Sequence, residues 1–235
     1  MKHLALFLRA PLQGWGVSGK FGERPTMSFP SKSGVLGLLA AATGIDRSDD
    51  DWLERAAKMR FSVKAYRTGP RLSDYHTVGG GYRTDKDHPR ERRCVPATAE
   101  NGKPGNTALT RREYLQDTVF GVVFSCDDDL LLEQIANGVQ DPVWGIWLGR
   151  KSCIPTAPVF TGLTESEDEA WALLAKRAEA LGGQSEARSS AVVECEPVRA
   201  DDLIPDVPLS FARRTYGVRG VEYVQDSEET TSVDL

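Results

Sequence analysis

The chain has 235 residues, of which 40% are hydrophobic and 27% are charged, and its formal net charge is −5. This composition is ordinary for a soluble globular protein, and the longest mostly apolar run, residues 35–45, is too short and too rich in glycine to span a bilayer. The four cysteines are widely spaced without a C-x-x-C pair, which argues against a zinc site and for a reducing, cytoplasmic environment.

The net charge conceals an uneven distribution along the chain. Residues 1–125 hold 20 Lys/Arg against 13 Asp/Glu, whereas residues 126–235 hold 9 against 21. Such asymmetry fits one surface for a polyanion and another for protein or solvent. Clustering of acidic residues in exposed helices and in the tail explains the counts equally well, so charge alone leaves both interpretations open.

Hydrophobic periodicity divides the chain into strands and helices. The order strand, helix, strand, strand, helix, strand is typical of an α+β fold, a ferredoxin-like or RRM-like antiparallel sheet with the helices on one face. We expect this domain to occupy residues 1–78 and 110–224. In chain order, the patterns predict a strand over 3–9, helices over 31–43 and 52–59, strands over 60–66, 74–78 and 119–124, a helix over 128–138, a strand over 143–148, a helix over 165–181, and strands near 191–195 and 209–224.

Residues 79–109 differ in composition from the rest of the chain, because glycine, proline, asparagine and charged residues dominate. We predict an insertion that protrudes as a hairpin arm, or thumb. Its six cations, followed by Arg111 and Arg112 at its exit, could track phosphates. A solvated loop explains the same composition. Residues 225–235 are polar and acidic, which predicts a disordered tail.

The loop over residues 22–30 leads into the first helix, whose first turn begins at Ser31. Free backbone N–H groups and the positive end of the helix dipole gather there beside the Lys32 side chain. The pattern predicts a phosphate site formed by Arg24, Lys32, Ser33 and nearby amides. Helix capping combined with tight packing is the alternative.

The same helix carries a stripe that is almost free of side chains, formed by Gly34, Gly37, Ala41 and Gly44. Two glycines inside a helix cost about 1 kcal/mol each relative to alanine, so something is expected to approach this face closely. An RNA backbone and a packed strand both fit.

Residues 144–153 place Trp144 and Trp147 beside Arg150 and Lys151. Aromatic rings next to cations are what single-stranded RNA uses for base stacking and backbone contact. Burial of both tryptophans in the core, or over the sheet, is the alternative.

The sequence offers little catalytic machinery. It holds three histidines without a pair at metal-ligand spacing, no P-loop and no G-x-S-x-G motif, and we predict neither a cofactor nor a metal. His76 could act as the general base of a metal-independent RNA cleavage. A structural hydrogen-bonding role is the alternative for this residue.

Four blocks of the sequence also carry a family resemblance when taken together. They are residues 11–16 (PLQGWG), residues 24–45, residues 74–78 together with 112–115, and residues 148–153 (LGRKSC). In this order they resemble the CasD-type subunit of the type I-E CRISPR Cascade complex, a member of the RAMP superfamily.

The resemblance implies an RRM-like domain with a thumb hairpin that binds the 5′ handle of the CRISPR RNA. It implies a non-catalytic subunit of an antiviral surveillance complex, which caps the backbone filament, contacts the backbone and large subunits, meets target DNA through them and has no membrane partner. By motif, Arg112 and Lys32 are the first candidates for handle phosphates. Arg24, Arg150 and Lys151 follow, with the two tryptophans for stacking or packing.

Two other functions remain open. A related branch, in type I-C systems, is the metal-independent endoribonuclease that processes the precursor RNA with a Tyr/Lys/His constellation. Here the first-helix segment has no tyrosine, and residues 74–77 match the branch that does not cut. The third possibility is a protein-interaction scaffold whose basic loop serves solubility alone.

Overall fold

The computed structural model describes residues 1–16, 19, 22–78, 108–182 and 190–225. The predicted insertion, residues 79–109, lies outside the described residues except for its last two, and the predicted tail lies outside them except for Gln225. Both therefore stay predictions.

The described residues form eleven strands and four α-helices, together with a short 3-10 helix at Pro197–Arg199. None of the described helices is long and apolar enough to cross a membrane. The strands are β1 (Lys2–Arg9), β2 (Leu12–Gln13), β3 (Glu23–Arg24), β4 (Arg60–Arg67), β5 (Arg71–Val78), β6 (Ala108–Gln116), β7 (Val119–Cys126), β8 (Phe160–Thr164), β9 (Ser190–Cys195), β10 (Asp202–Ser210) and β11 (Thr215–Gln225). The helices are α1 (Lys32–Thr43), α2 (Asp50–Ala57), α3 (Asp129–Gln140) and α4 (Glu167–Ala180).

Seven strands form one antiparallel sheet in the order β10-β11-β9-β4-β7-β1-β8. β1 lies between β7 and β8, and it pairs with β7 from Lys2 opposite Cys126 to Arg9 opposite Val119. Residues 3–8 of β1 are all buried. Such a continuous buried run is expected where a sheet is covered on both faces.

Helices do cover both faces of this sheet. α1 and α3 pack on the face that carries Leu4, Leu6 and Leu8, whereas α4 packs on the opposite face, against Ala5 and Phe7. The alternation of side chains along β1 separates the two cores. The prediction that the helices lie on one face is therefore wrong, because α4 buries the second face.

A smaller sheet is built around β6. β5 pairs antiparallel with β6 from Arg71 opposite Leu115 to Val78 opposite Ala108. On the other side of β6, β2 pairs antiparallel near its end and β3 pairs parallel with residues 111–112. β5 and β6 are therefore the two strands that the predicted insertion connects.

The segment after α3 departs from prediction. The strand predicted over 143–148 is wrong, since residues 141–159 contain neither strand nor helix. The backbone N–H groups of Val143 and Trp144 donate to carbonyl oxygens at the end of α1 instead of to a neighbouring strand. All four predicted helices are confirmed, with boundaries shifted by a few residues.

The two edge strands of the large sheet are poorly marked in the sequence. β8 has no predicted counterpart, and the strand predicted over 209–224 covers only the end of β10, a turn and most of β11. β10 contains Pro205 and Pro208, and proline within a run argues against a central strand. At the edge of a sheet the same prolines are tolerated, which is where β10 lies.

Candidate nucleic-acid interface

The first turn of α1 does bind an anion, but the anion belongs to the protein itself. Ser31 caps the helix and accepts a hydrogen bond from the Gly34 N–H at 3.3 Å, and Ser33 is partly exposed. The Lys32 backbone N–H donates to Oδ2 of Asp206 at 2.7 Å. Because Asp206 is fully buried, a carboxylate from β10 occupies the place where the sequence predicts a phosphate.

The Lys32 side chain belongs to the same buried group of charges. It is 1% exposed, and its Nζ donates to both carboxylate oxygens of Glu194 at 2.9 Å. Arg219 donates to Asp206 from Nε at 2.7 Å and from Nη2 at 3.1 Å. We call Lys32, Glu194, Asp206 and Arg219 the buried ion-pair cluster. Lys32 joins α1 to β9 in this cluster, which argues against the predicted phosphate contact.

Burial and charge act in opposite directions on the Lys32 amine. Burial lowers the pKa of Lys32, while the Glu194 carboxylate raises it, and the net effect is a lowered pKa. Glu194 also accepts a hydrogen bond from the Phe61 backbone N–H at 3.0 Å. The carboxylate therefore connects α1, β4 and β9 at once.

The bare stripe on α1 is covered by other parts of the protein. A Cβ at Gly34 would lie 3.0 Å from the ring of Trp15, and one at Gly44 would lie 3.0 Å from Val143. Gly44 also ends the helix with a φ of 74°, a conformation that favours glycine. The structure therefore supports tight packing of this stripe and not an RNA-facing surface.

The arginines at the exit of the predicted insertion lie on opposite faces of β6. Successive side chains of a strand alternate between faces, so Arg111 and Arg112 point apart. Arg112 lies in register with Arg24 on β3 and with Asp74 on β5, and its Nε donates to Oγ1 of Thr110 at 3.2 Å. Two of the predicted site residues, Arg24 and Arg112, are thus brought together on one face.

Arg150 reaches this face from the loop after α3. Its Nη1 donates to the Glu113 carbonyl at 2.7 Å, and its Nη2 donates to the Arg24 carbonyl at 2.7 Å. The guanidinium also lies 4.6 Å from the centroid of the Tyr114 ring. We call these contacts the Arg150 bridge. The bridge ties β3 to β6, so that Arg150 holds the backbone of Arg24 in position.

A glycine contact fixes the loop that carries Arg150. Gly149 has a φ of 90°, and a Cβ there would lie 1.8 Å from the carbonyl oxygen of Gly14. The Gly14 N–H donates to the Leu148 carbonyl at 3.1 Å. Only glycine fits a position with this conformation and this close approach. Residues 11–16 and 148–153, two of the blocks that carry the family resemblance, therefore touch each other.

A buried polar network that the sequence patterns do not predict lies beside this contact. Gln13 is fully buried, and its Nε2 donates to the carbonyls of Leu8 and Thr118 at 3.2 and 2.9 Å. The Trp15 Nε1–H donates to Oε1 of Gln13 at 3.0 Å, and the Trp15 backbone N–H donates to Oγ1 of Thr26 at 2.8 Å. The polar Gln13 within an otherwise apolar block is the signal that could have revealed it.

The two predicted stacking tryptophans differ in environment. Trp144 is 48% exposed where the loop after α3 meets the end of α1. Trp147 is partly buried, its ring lies against Gly145, and the exposed Lys151 places its Nζ 5.7 Å from the ring centroid. Neither tryptophan is fully buried, so the core interpretation does not hold for Trp144 and holds only in part for Trp147.

His76 lacks the neighbours that orient a general base. It lies on β5 opposite Thr110, and its buried Nδ1 has no hydrogen-bond partner among the described residues. A catalytic histidine is commonly oriented by a hydrogen bond to its second ring nitrogen. Within the described ranges, no group of three or more His, Cys, Asp or Glu residues could hold a metal ion.

Comparison with known proteins assigns this arrangement to a family. The model of the family described as CRISPR-associated protein (Cas_Cas5) matches residues 3–222, and the chain belongs to that family. It is 32% identical to the "CRISPR system Cascade subunit CasD" of Escherichia coli (strain K12), over 92% of this chain and 95% of the relative.

Solved structures are similar over nearly the whole chain as well. One, described as "Crystal structure of Cas protein", is 26% identical with a TM-score of 0.66, over 97% of this chain and 96% of the other. A chain of a "CRISPR RNA-guided surveillance complex" is 30% identical with a TM-score of 0.68, over 95% of this chain and 89% of the other.

Proposed function

We propose that this chain is a CRISPR-RNA-binding subunit of a Cascade-type antiviral surveillance complex, and that it holds the 5′ handle of the guide RNA without cutting it. The observation that carries the proposal is the similarity to the Cascade subunit CasD, which spans 92% of this chain. Membership of the Cas5 family and the likeness to a chain of a CRISPR RNA-guided surveillance complex support the same function.

The core of the subunit is ferredoxin-like in this proposal, and β5 and β6 carry a thumb. Within the large sheet, β8, β1, β7 and β4 are consecutive neighbours. The chain forms them in the order β1, β4, β7 and β8, with α1 and α2 before β4 and α3 before β8. This order supports a ferredoxin-like core, to which β9, β10 and β11 are added beside β4.

The handle phosphates bind along the smaller sheet. Arg24 and Arg112 share one face, and Arg111 lies on the other. An arginine fork matches the geometry of phosphate oxygens. Lys151, which is exposed next to the Arg150 bridge in the chain, is a further candidate. Ser33, Trp144 and Trp147 stay candidates with weaker support from the structure.

The subunit caps the backbone filament, contacts the backbone and large subunits, and meets target DNA only through the assembled complex. We place it in the cytoplasm. The free thiols of Cys126, Cys153 and Cys195 fit such a reducing compartment.

Binding of handle RNA by the assembled complex tests the proposed function. An RNA that carries the 5′ handle of the host's own CRISPR repeat is expected to bind far more tightly than a scrambled RNA of equal length. Its affinity should fall as salt rises, because phosphate contacts release counterions. Equal affinity for the two RNAs would contradict the proposal.

Arg112→Ala tests the site within the same assay. Losing one phosphate contact is expected to reduce the slope of log K against log salt by about 1. Arg47→Ala is the matched control, since Arg47 is an exposed arginine in the loop between α1 and α2. An unchanged slope in the Arg112 variant would remove Arg112 from the site.

A further inference from the structure

An exposed aromatic ring lies beside an exposed arginine on the smaller sheet. Tyr75 on β5 is 61% exposed and lies in register with Arg111 on β6, which is exposed as well. Residues directly opposite each other in an antiparallel pair share a face, with Cβ atoms about 4.5–5.5 Å apart. We call these two residues the Tyr75–Arg111 pair.

Within the described ranges, the two side chains of this pair make no polar or ring contact. Among the described residues, neither the Tyr75 ring nor the Arg111 guanidinium has a hydrogen bond, an ion pair or a ring contact. Glu23 lies in register with Arg111 on the other side of β6, yet no ion pair joins these two within the described part of the chain. By contrast, the Arg150 guanidinium on the opposite face is occupied by carbonyl oxygens.

The central strand β1 of the large sheet presents no exposed aromatic ring. RRM domains stack bases on aromatic side chains exposed on their sheet. Here the face opposite α1 and α3 is covered by α4, whose Ala170 and Leu174 pack against it, and Phe7 on β1 is 0% exposed. A base could not reach the Phe7 ring without removing α4, so β1 is not a stacking platform.

The other exposed aromatic side chains of the described residues fit a base less well. The Tyr223 hydroxyl lies 3.5 Å from a carboxylate oxygen of Asp202, which would repel a nearby phosphate. Tyr216 lies in register with Pro208, and Trp144 is in a loop rather than opposite a cation on a strand. Tyr75 alone among these has an exposed arginine directly opposite.

We propose that the Tyr75–Arg111 pair is a stacking subsite for one unpaired base of the RNA handle. The Tyr75 ring lies against the face of the base, and the Arg111 guanidinium binds the adjoining phosphate. Every base has a π-face, so such stacking tolerates any sequence, and a neighbouring arginine adds charge attraction. The inference rests on the proposed function and adds to it a contact with a base, which the phosphate-binding arginines do not supply.

Removal of the ring and removal of single bases test the inference together. In the assembled complex, Tyr75→Ala is expected to weaken binding of handle RNA by about 5- to 150-fold, the usual worth of stacking one base. Tyr75→Phe and Tyr75→Trp keep a flat ring and should bind as the wild type does. A set of handle RNAs, each with one abasic position, should then locate the partner: at one position the abasic change should weaken wild-type binding but not weaken Tyr75→Ala further.

The Arg111→Gln variant tests the phosphate contact of the pair, and Tyr216→Ala serves as the control. Arg111→Gln should reduce the salt slope by about 1, whereas Tyr75→Ala should leave the slope unchanged. Tyr216→Ala is the matched control and should bind handle RNA normally. Additive losses for Tyr75→Ala at every abasic position would overturn the inference. So would a Tyr75→Ala variant that binds RNA normally but assembles poorly with the other subunits, since that result assigns the pair to a protein contact. Either outcome leaves the proposed function intact. The proposed function fails only if the wild-type complex does not bind handle RNA more tightly than scrambled RNA.

Discussion

The buried ion-pair cluster is a place where a single charge has large consequences. The side chains of Asp206 and Arg219 are 0% and 2% exposed, and Lys32 is 1% exposed. Each cation has a carboxylate within hydrogen-bond distance, so the charges are compensated inside the protein. Removing one member would leave its partner charged and buried without a counter-charge. Breaking a buried ion pair in this way strongly destabilises the folded protein.

Asp206→Asn tests this compensation. The change keeps the shape of the side chain but leaves the Arg219 guanidinium without its counter-charge, so we expect the free energy of unfolding to fall by about 3–5 kcal/mol. Urea denaturation measures the loss. Asp128→Asn is the control, because Asp128 pairs with Arg55 at the surface and exposed pairs contribute little. Equal stability of the Asp206 variant and the wild type would show that the cluster is dispensable.

Because His3 is buried, we predict that the stability of the protein depends on pH. Burial lowers the pKa of His3 below its ordinary value, and its Nδ1 lies 2.8 Å from Oγ of Ser125. Below about pH 6.5 the unfolded chain takes up a proton on this ring that the folded protein does not. Stability should therefore decrease as the pH falls from about 6.5 towards the lower pKa of the folded state, by at most about 1.4 kcal/mol per pH unit.

His3→Asn provides the comparison for that prediction. The variant cannot titrate at this position, so its free energy of unfolding should change less than that of the wild type below about pH 6.5. Denaturation curves at several pH values measure the difference. Parallel pH profiles for the two proteins would show that His3 does not contribute.

At the scale of single elements, the Arg150 bridge allows a test of whether Arg150 positions Arg24 or itself binds a phosphate. Its guanidinium N–H groups donate to carbonyls of β3 and β6, so Arg150→Ala should loosen Arg24 without removing a phosphate contact. We expect weaker handle binding with an unchanged salt slope, in contrast to Arg112→Ala. Arg150→Lys should not restore binding, because an ammonium cannot reproduce the planar fork. A slope reduced by about 1 would instead assign Arg150 to a phosphate.

The elements that the sequence predicts well are those that local physics determines. α1 is predicted to within one residue, and Ser31 caps it, as the alternative for its first turn states. Gly44 is predicted only as part of the bare stripe, but it ends the helix. The role of Lys32 could not be predicted in the same way, because Glu194 and Asp206 lie 162 and 174 residues further along the chain. The apolar run over 143–148 also misleads, since its first backbone N–H groups donate to the end of α1 and not to a neighbouring strand.

The covering of the sheet by α4 is likewise not visible in the sequence. The sequence predicts the helix over 165–181, but its acidic first turn and apolar stripe do not indicate the face of the sheet on which it packs. Composition and motif predict the arginines of the candidate interface. Their division between two faces of β6 follows from strand alternation once the strand boundaries are known.

For the molecule as a whole, we predict that the assembled complex does not cleave RNA through this chain. The isolated His76 Nδ1 among the described residues gives no sign of an oriented base. Repeat RNA incubated with purified protein in EDTA should stay intact. Specific cleavage that His76→Ala abolishes would establish the endoribonuclease function in place of the proposed one.

The two edge strands of the large sheet also differ in their main-chain hydrogen-bond donors. β10 forms one end and contains Pro205 and Pro208, which have no backbone N–H to donate. β8 forms the other end, and Phe160–Thr164 contains no proline. Every residue of β8 keeps the backbone N–H that sheet pairing uses, although the Phe160 carbonyl already accepts a hydrogen bond from Arg177 at 2.7 Å. β10 cannot donate main-chain hydrogen bonds along its whole length. The large sheet is therefore asymmetric, because prolines remove main-chain donors from one edge strand and not from the other.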